Sequence, residues 1–136
     1  MPTNPIDKTA SVHQSMPFAA AIRLRNVLVS SEGVTALADW APEHCTANGA
    51  LHGGYLMSLA DTIGALCAGP HLPEGAGTTT TESKTNFLRP VTAGAVTITA
   101  TPVNIGRTLV VVQTDITRED GKLVTRTTQT QLVLTR

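Results

Sequence analysis

Aromatic side chains make up 3% of this chain, with one Trp, one Tyr and two Phe, too few to build a surface on which nucleobases stack. Charge is sparse as well. Asp, Glu, Lys and Arg account for 15% of residues and the formal net charge is zero, so there is no basic field to hold a nucleic-acid backbone. No apolar run free of Asp61 reaches the ~18 residues that a membrane-spanning helix needs. The opening residues, Met1-Pro2-Thr3-Asn4-Pro5-Ile6-Asp7-Lys8, lack the charged-then-apolar layout of a secretory leader. The two cysteines, Cys45 and Cys67, allow one pairing in principle, but a free cytoplasmic thiol is the simpler reading because Cys67 falls on an apolar helix face. The four histidines, at 13, 44, 52 and 71, do not have the spacing of metal ligands. These absences leave a neutral cytoplasmic protein with no nucleic acid, membrane or metal as partner. Its 136 residues are enough for one domain with a real core.

What is present is concentrated between Asn48 and Gly69. From Gly53 to Pro73 the only formally charged side chain is Asp61. Leu56, Met57, Leu59, Ala60, Ile63, Leu66 and Cys67 recur at i, i+3, i+4 and i+7, the spacing of a helix. They go most of the way round it, which predicts a buried helix. An ionised carboxylate there is costly unless it is paired, and such residues cluster at functional sites. At the other end of the stretch, His52-Gly53-Gly54 opens the helix. Two glycines let the backbone turn tightly and approach a ligand. The first helical N–H groups lack internal partners and lie at the positive end of the dipole. An oxyanion placed there would be stabilised. Asp61 is two turns further on, roughly 12 Å along the axis, too far to serve the same carbonyl as Gly53. A second copy of the chain is implied, with Gly53 of one facing Asp61 of the other.

The remainder reads as strands. Residues 1–14 are polar and proline-containing and read as a loose tail, leaving 15–136 as the domain. Pro17 to Leu24 suits a short helix, Val27–Val29 a first strand, and Val34, Ala36, Ala38 and Trp40 a second. Gly69-Pro70 ends the central helix. Thr78–Leu88, Ala95–Val103, Arg107–Thr117 and Lys122–Leu134 follow, separated by turns at Pro90–Gly94, Asn104–Gly106 and Arg118–Gly121. The fold class is α+β: a curled antiparallel sheet of five or six strands around one long central helix. Such a sheet leaves an open edge, a liability that pairing two subunits removes.

The pattern Gly49-x-x-His52-Gly53-Gly54 followed by Leu59-Ala60-Asp61 resembles the hotdog-fold acyl-CoA thioesterases, in the branch that includes the phenylacetate-pathway enzymes. Thr81-Glu82-Ser83-Lys84-Thr85-Asn86-Phe87-Leu88-Arg89-Pro90, then Gly106-Arg107-Thr108 and Asp120-Gly121-Lys122, continue the likeness. The resemblance implies hydrolysis of an aryl- or medium-chain acyl-CoA in a homodimer, paired into a dimer of dimers. No cofactor is implied, coenzyme A being part of the substrate. Asp61 would act as general base or as nucleophile, Gly53 would supply the oxyanion N–H, and Thr80 would stand beside the carboxylate. His52 suits a corner-holding role better than acid catalysis. The water-orienting Asn or Gln of the family falls here on Thr46, with an asparagine two residues on at Asn48, so either a rearranged loop brings in Asn48 or water is held otherwise. Phe87, Leu88, Arg89 and Pro90, with the turn Asn104 to Leu109 that contains Gly106 and Arg107, would line the coenzyme channel. The arginines there suit phosphate because their fork binds two oxygens. Two other classes share the fold: a non-catalytic acyl-CoA-binding module, and a hydratase, whose Asp and His pattern this chain lacks.

Overall fold

The computed structural model describes residues 4–135. Within them the chain forms β1 (Ile6–Asp7), α1 (Thr9–Ser15), α2 (Pro17–Ala21), β2 (Arg25–Ser30), β3 (Gly33–Asp39), α3 (Gly53–Ala68), β4 (Gly77–Phe87), β5 (Ala95–Ile105), β6 (Leu109–Thr117) and β7 (Leu123–Leu134). The strands make one antiparallel sheet in the order β1-β2-β3-β5-β6-β7-β4. Sequence patterning predicts five or six strands, and the two-residue β1 is the addition.

Period-two alternation makes these strands and decides their faces. Val34, Ala36 and Ala38 of β3, Val96, Ile98 and Ala100 of β5, and Val110, Val112 and Ile116 of β6 all point inward and are buried. Against them α3 lays Leu56, Leu59, Ala60, Ile63, Cys67 and Ala68. Full burial of a side chain such as Leu59 or Ile63 is worth about 1.5–3 kcal/mol. The helix opens on His52, whose backbone is extended (φ −62°, ψ 138°), and stops at Gly69 before Pro70, which cannot continue it. The last hairpin turns at Gly121, whose φ of +81° is a conformation glycine reaches without strain.

Three expectations need correction. Residues 6–15 are not a loose tail. The Lys8 N–H donates to Val27 O (2.8 Å), the Val27 N–H donates to Thr9 Oγ1 (2.9 Å), His13 Nε2 lies 2.6 Å from Leu24 O, and Val12 is buried. Residues 1–3 lie outside the described part. The turn after β5 falls at Gly106–Thr108, because a bulge between Pro102 and Asn104 carries the strand on to Ile105. Finally, α3 is not buried all round. Met57 is 40% exposed and Asp61 is exposed too, with Ser58, Thr62 and Ala65 partly so. Small apolar residues on that side look like core in a sequence but face outward in this protomer. No helix among the described residues is long and apolar enough to cross a membrane.

Both cysteines are free thiols. Burial pushes the Cys67 thiol up from 9.0 to about 11 and the Tyr55 phenol from 10.0 to about 12. The Tyr55 hydroxyl donates to Ile22 O at 2.7 Å. Both groups keep their protons at a pH where the unfolded chain has lost them, so stability falls as pH rises. Their contribution is whole below about pH 9 and gone by about pH 12. Melts across that window should show a falling midpoint, with a shallower fall for Tyr55→Phe, which has no phenol to ionise. Removing residues 1–15 should lower the neutral-pH midpoint by roughly 5–10 °C, since it uncovers Val12 and its neighbours; an unchanged melt would mean that the segment contributes nothing.

Candidate active site

Two clefts carry several of the sequence-predicted residues, one beside the middle of α3 and the other at its start. The first, of about 380 Å³, is lined by Met57, Ser58, Asp61, Thr80 and Ser83. The second, of about 330 Å³, is lined by Ala50, Leu51, Gly53, Leu56 and Phe87 to Pro90.

Asp61 stands on the exposed side of α3, not in the apolar interior that its neighbours in sequence suggest. Its carboxylate is held by a group on the sheet: Gln129 Nε2 donates to Asp61 Oδ1 at 2.9 Å and reaches the Asp61 main-chain oxygen at 3.4 Å. Among the described residues no ion pair involves Asp61. Thr80, on β4, shares the cleft. Its Oγ1 accepts from Gln131 Nε2 at 2.7 Å and from Gln129 Nε2 at 3.4 Å. Gln129 and Gln131 are each 1% exposed. Both were missed in the sequence, where the available signal is the alternation Thr125, Thr127, Gln129, Gln131 on the inner face of a strand whose neighbours are apolar there.

At the helix start, His52 caps the first turn. Its Nδ1 accepts from the Gly54 N–H at 2.8 Å, so in the neutral ring the proton sits on Nε2. The His52 N–H in turn donates to His44 O. This is the corner-holding role, and it occupies Gly54. The Gly53 N–H has no acceptor among the described residues. The Phe87 ring lies over it, close enough that a Cβ on Gly53 would sit 3.1 Å from Phe87 Cε1. Phe87 and Leu88 are half-exposed, and Arg89 Nη1 donates to Leu123 O at 2.9 Å. The cleft therefore combines an unpartnered amide at a helix start, an apolar wall and one cation.

The other predicted residues are elsewhere in the protomer. Thr46 and Asn48 sit in an exposed turn closed by the Thr46 N–H to Ala50 O bond, with the Asn48 N–H donating to Thr46 Oγ1 at 3.3 Å; neither lines the Asp61 cleft. Asn104, Gly106 and Arg107 occupy the tip where Leu109 pairs with Leu132, whereas Phe87 pairs with Thr125. Those two positions on β7 are roughly 23 Å apart at ~3.3 Å per residue. One protomer thus separates the two segments expected to line one channel. His44 and Cys45 do not form a thiol–imidazole pair: the His44 ring stacks on Tyr55 at 4.1 Å, and the Cys45 thiol donates to Ala41 O. Among the described residues no three His, Cys, Asp or Glu side chains gather as metal ligands.

Residues 48–125 match the family model described as the thioesterase superfamily. A Haemophilus influenzae protein provisionally named an esterase is 47% identical over 75 residues, 55% of this chain and 54% of that one; the chain thus spans about half the length of that curated relative. Among solved structures, a thioesterase from Haemophilus influenzae superposes with a TM-score of 0.85 at 31% identity, covering 93% of this chain and 90% of that one. A hypothetical thioesterase from Streptococcus pneumoniae, solved with coenzyme A, gives 0.71 at 29% identity over 78% and 81%. With its sheet curled around a single helix, the hotdog architecture, the chain belongs to the thioesterase superfamily.

Proposed function

We propose that this protein is an acyl-CoA thioesterase of the cytoplasm, working as a homodimer in which each site takes Gly53 from one subunit and Asp61 from the other. The observation that carries this reading is the division of labour within one protomer. A carboxylate with one oxygen free lines one cleft, and an unpartnered helix-start amide lines another. Neither cleft alone has both a base and an oxyanion donor. A second copy placed along the open edge strand β4 would join them.

In this scheme the thioester carbonyl oxygen accepts from the Gly53 N–H. Asp61 takes a proton from water as the water oxygen bonds to the carbonyl carbon. The tetrahedral intermediate collapses, the C–S bond breaks, and the thiolate leaves as free thiol with the proton Asp61 had taken. Direct attack by the carboxylate, through a mixed anhydride that water then opens, balances equally well. Phe87 and Leu88 offer an apolar wall to the substrate, and Arg89 and Arg107 offer cations to its phosphates. The coenzyme A bound in the Streptococcus pneumoniae structure supports that substrate class. An aryl or medium-length acyl group, and a dimer of dimers, complete the reading.

Asp61→Asn should lower kcat on benzoyl-CoA or hexanoyl-CoA by about 10²–10⁴-fold, read as release of free thiol, with the oligomer intact by light scattering. Full activity in that variant would sink the scheme. Saturable binding of either thioester with no thiol release by the wild type would instead favour a binding module. The cross-subunit arrangement has its own test. Gly53→Pro removes the N–H at the first helical position, where proline is tolerated, His52 already has the extended backbone that a residue before proline needs, and the crowding of Phe87 by the new Cβ is shared by the Gly53→Ala control. Its kcat should fall about 10²–10³-fold, whereas Gly53→Ala, which keeps the amide, should lose far less. Mixing Asp61→Asn subunits with Gly53→Pro subunits should restore activity, because each mixed dimer contains one intact site. No recovery in demonstrably mixed dimers would place both groups in the same subunit's site.

A further inference from the structure

We propose that Gln129 is the positioning residue for the Asp61 carboxylate, seated in a socket that Gly64 leaves open; the proposal rests on the thioesterase reading of that carboxylate. An aspartate exposed on a helix has several staggered rotamers open to it. Here one is selected, because Gln129 Nε2 reaches both Oδ1 and the main-chain oxygen of Asp61 (2.9 and 3.4 Å) and also Thr80 Oγ1 (3.4 Å). A carboxylate only accepts, so the amide must present its NH₂ to Asp61 and turn its oxygen the other way. That oxygen is buried and has no partner. It lies over Gly64, where a Cβ would come within 2.1 Å of it, and Thr114 Oγ1, likewise buried and unpartnered, is 3.1 Å from the same point.

This is a poor arrangement for stability alone. A methionine at 129 would fill about the same volume and remove this orphaned oxygen from the core. What the glutamine adds is a fixed donor that holds Oδ1 and leaves Oδ2 toward the cleft. Gln131 acts in parallel on Thr80, and with both of its lone-pair directions engaged by amides the Thr80 hydroxyl is left to donate its hydrogen elsewhere. The helix contributes its part by having no side chain at 64. The space beside Gly64 is filled by the Gln129 amide.

Three variants test the proposal on benzoyl-CoA and hexanoyl-CoA, with Asp61→Asn assayed alongside. Gln129→Met should lower kcat by about 10²-fold with KM within about threefold, and its melting midpoint should be equal to or above that of the wild type. Gly64→Ala should lower kcat similarly although Gln129 is still present, because the new methyl displaces it. In crystals of Gln129→Met the Asp61 carboxylate should leave its wild-type rotamer or split between two, a readout that needs no turnover. Wild-type kcat in Gln129→Met, with Asp61→Asn inactive, overturns the positioning role and leaves the thioesterase reading standing. A wild type inactive on both thioesters overturns that reading instead, and an unmoved Asp61 rotamer in Gln129→Met then overturns the positioning role as well. If Gln129→Met does not fold, undiminished kcat in Gly64→Ala is the overturning result.

Discussion

The hydrogen bond from the Gln129 amide to the Asp61 carboxylate ties the open side of α3 to the polar part of its sheet and sets the direction of that carboxylate. The inner face of the sheet is not uniform. On β5 and β6 it is almost entirely apolar, through Val96, Ile98, Ala100, Val110, Val112 and Ile116, with Thr114 the exception. On β7 it turns polar, through Thr125, Thr127, Gln129 and Gln131, all buried. The buried apolar face of α3 meets the apolar strands, and that setting leaves its one carboxylate beside the polar strip. Leu59 and Ile63 take the apolar strands, and Asp61 takes the polar side. Buried amides and hydroxyls are costly when unpaired, so the polar strip penalises the other settings as much as it rewards this one.

The same setting keeps the two clefts apart within a protomer. Two turns of helix separate Gly53 from Asp61, and the sheet continues the separation, with Phe87 against Thr125 at one end of β7 and Leu109 against Leu132 toward the other. The Gly53 amide, Phe87 and Arg89 gather at the helix start, and Asp61 and Thr80 gather further along it. A rigid helix cannot fold back to bring these together, and β4 is exposed along most of its length at the open edge of the sheet. In the dimer proposed above, a second copy docked antiparallel along that edge would satisfy its backbone groups and set unlike clefts face to face, so that one contact would answer both the structural and the chemical need.

Much of this was legible in the sequence because it is local. The spacing from Leu56 to Cys67, the Gly53-Gly54 start and the Gly69-Pro70 stop mark α3 within a residue or so, and alternation marks β5 to β7. What was not legible is non-local. A polar, proline-containing opening hides the contacts that anchor it, among them Val12 in the core and Lys8 against Val27. The apolar look of Met57 and Ala65 predicts burial, yet hydrophobicity alone does not say which side of a helix meets the sheet. Gln129 lies 68 residues from Asp61, and nothing short of the fold says that they touch. The same holds for Gly64, whose missing side chain leaves the space that Gln129 occupies.

A bulge in β4 shows how closely the site depends on register. Thr80 pairs with Gln131, but Glu82 pairs with Thr130 and Ser83 with Gln129, so one extra residue, Thr81, is taken up between them. In regular pairing Glu82 would stand opposite Gln129, on the face that carries the Asp61 cleft. A second carboxylate would then compete for the same amide donor and repel the first. The bulge turns Glu82 to the other face and puts Ser83 in its place, while Thr80 keeps its bond to Gln131. Residues three apart on a strand normally point opposite ways, yet Thr80 and Ser83 both line the cleft. A single unpaired residue thus keeps Glu82 off the face that carries Asp61 and leaves the Gln129 amide to one carboxylate.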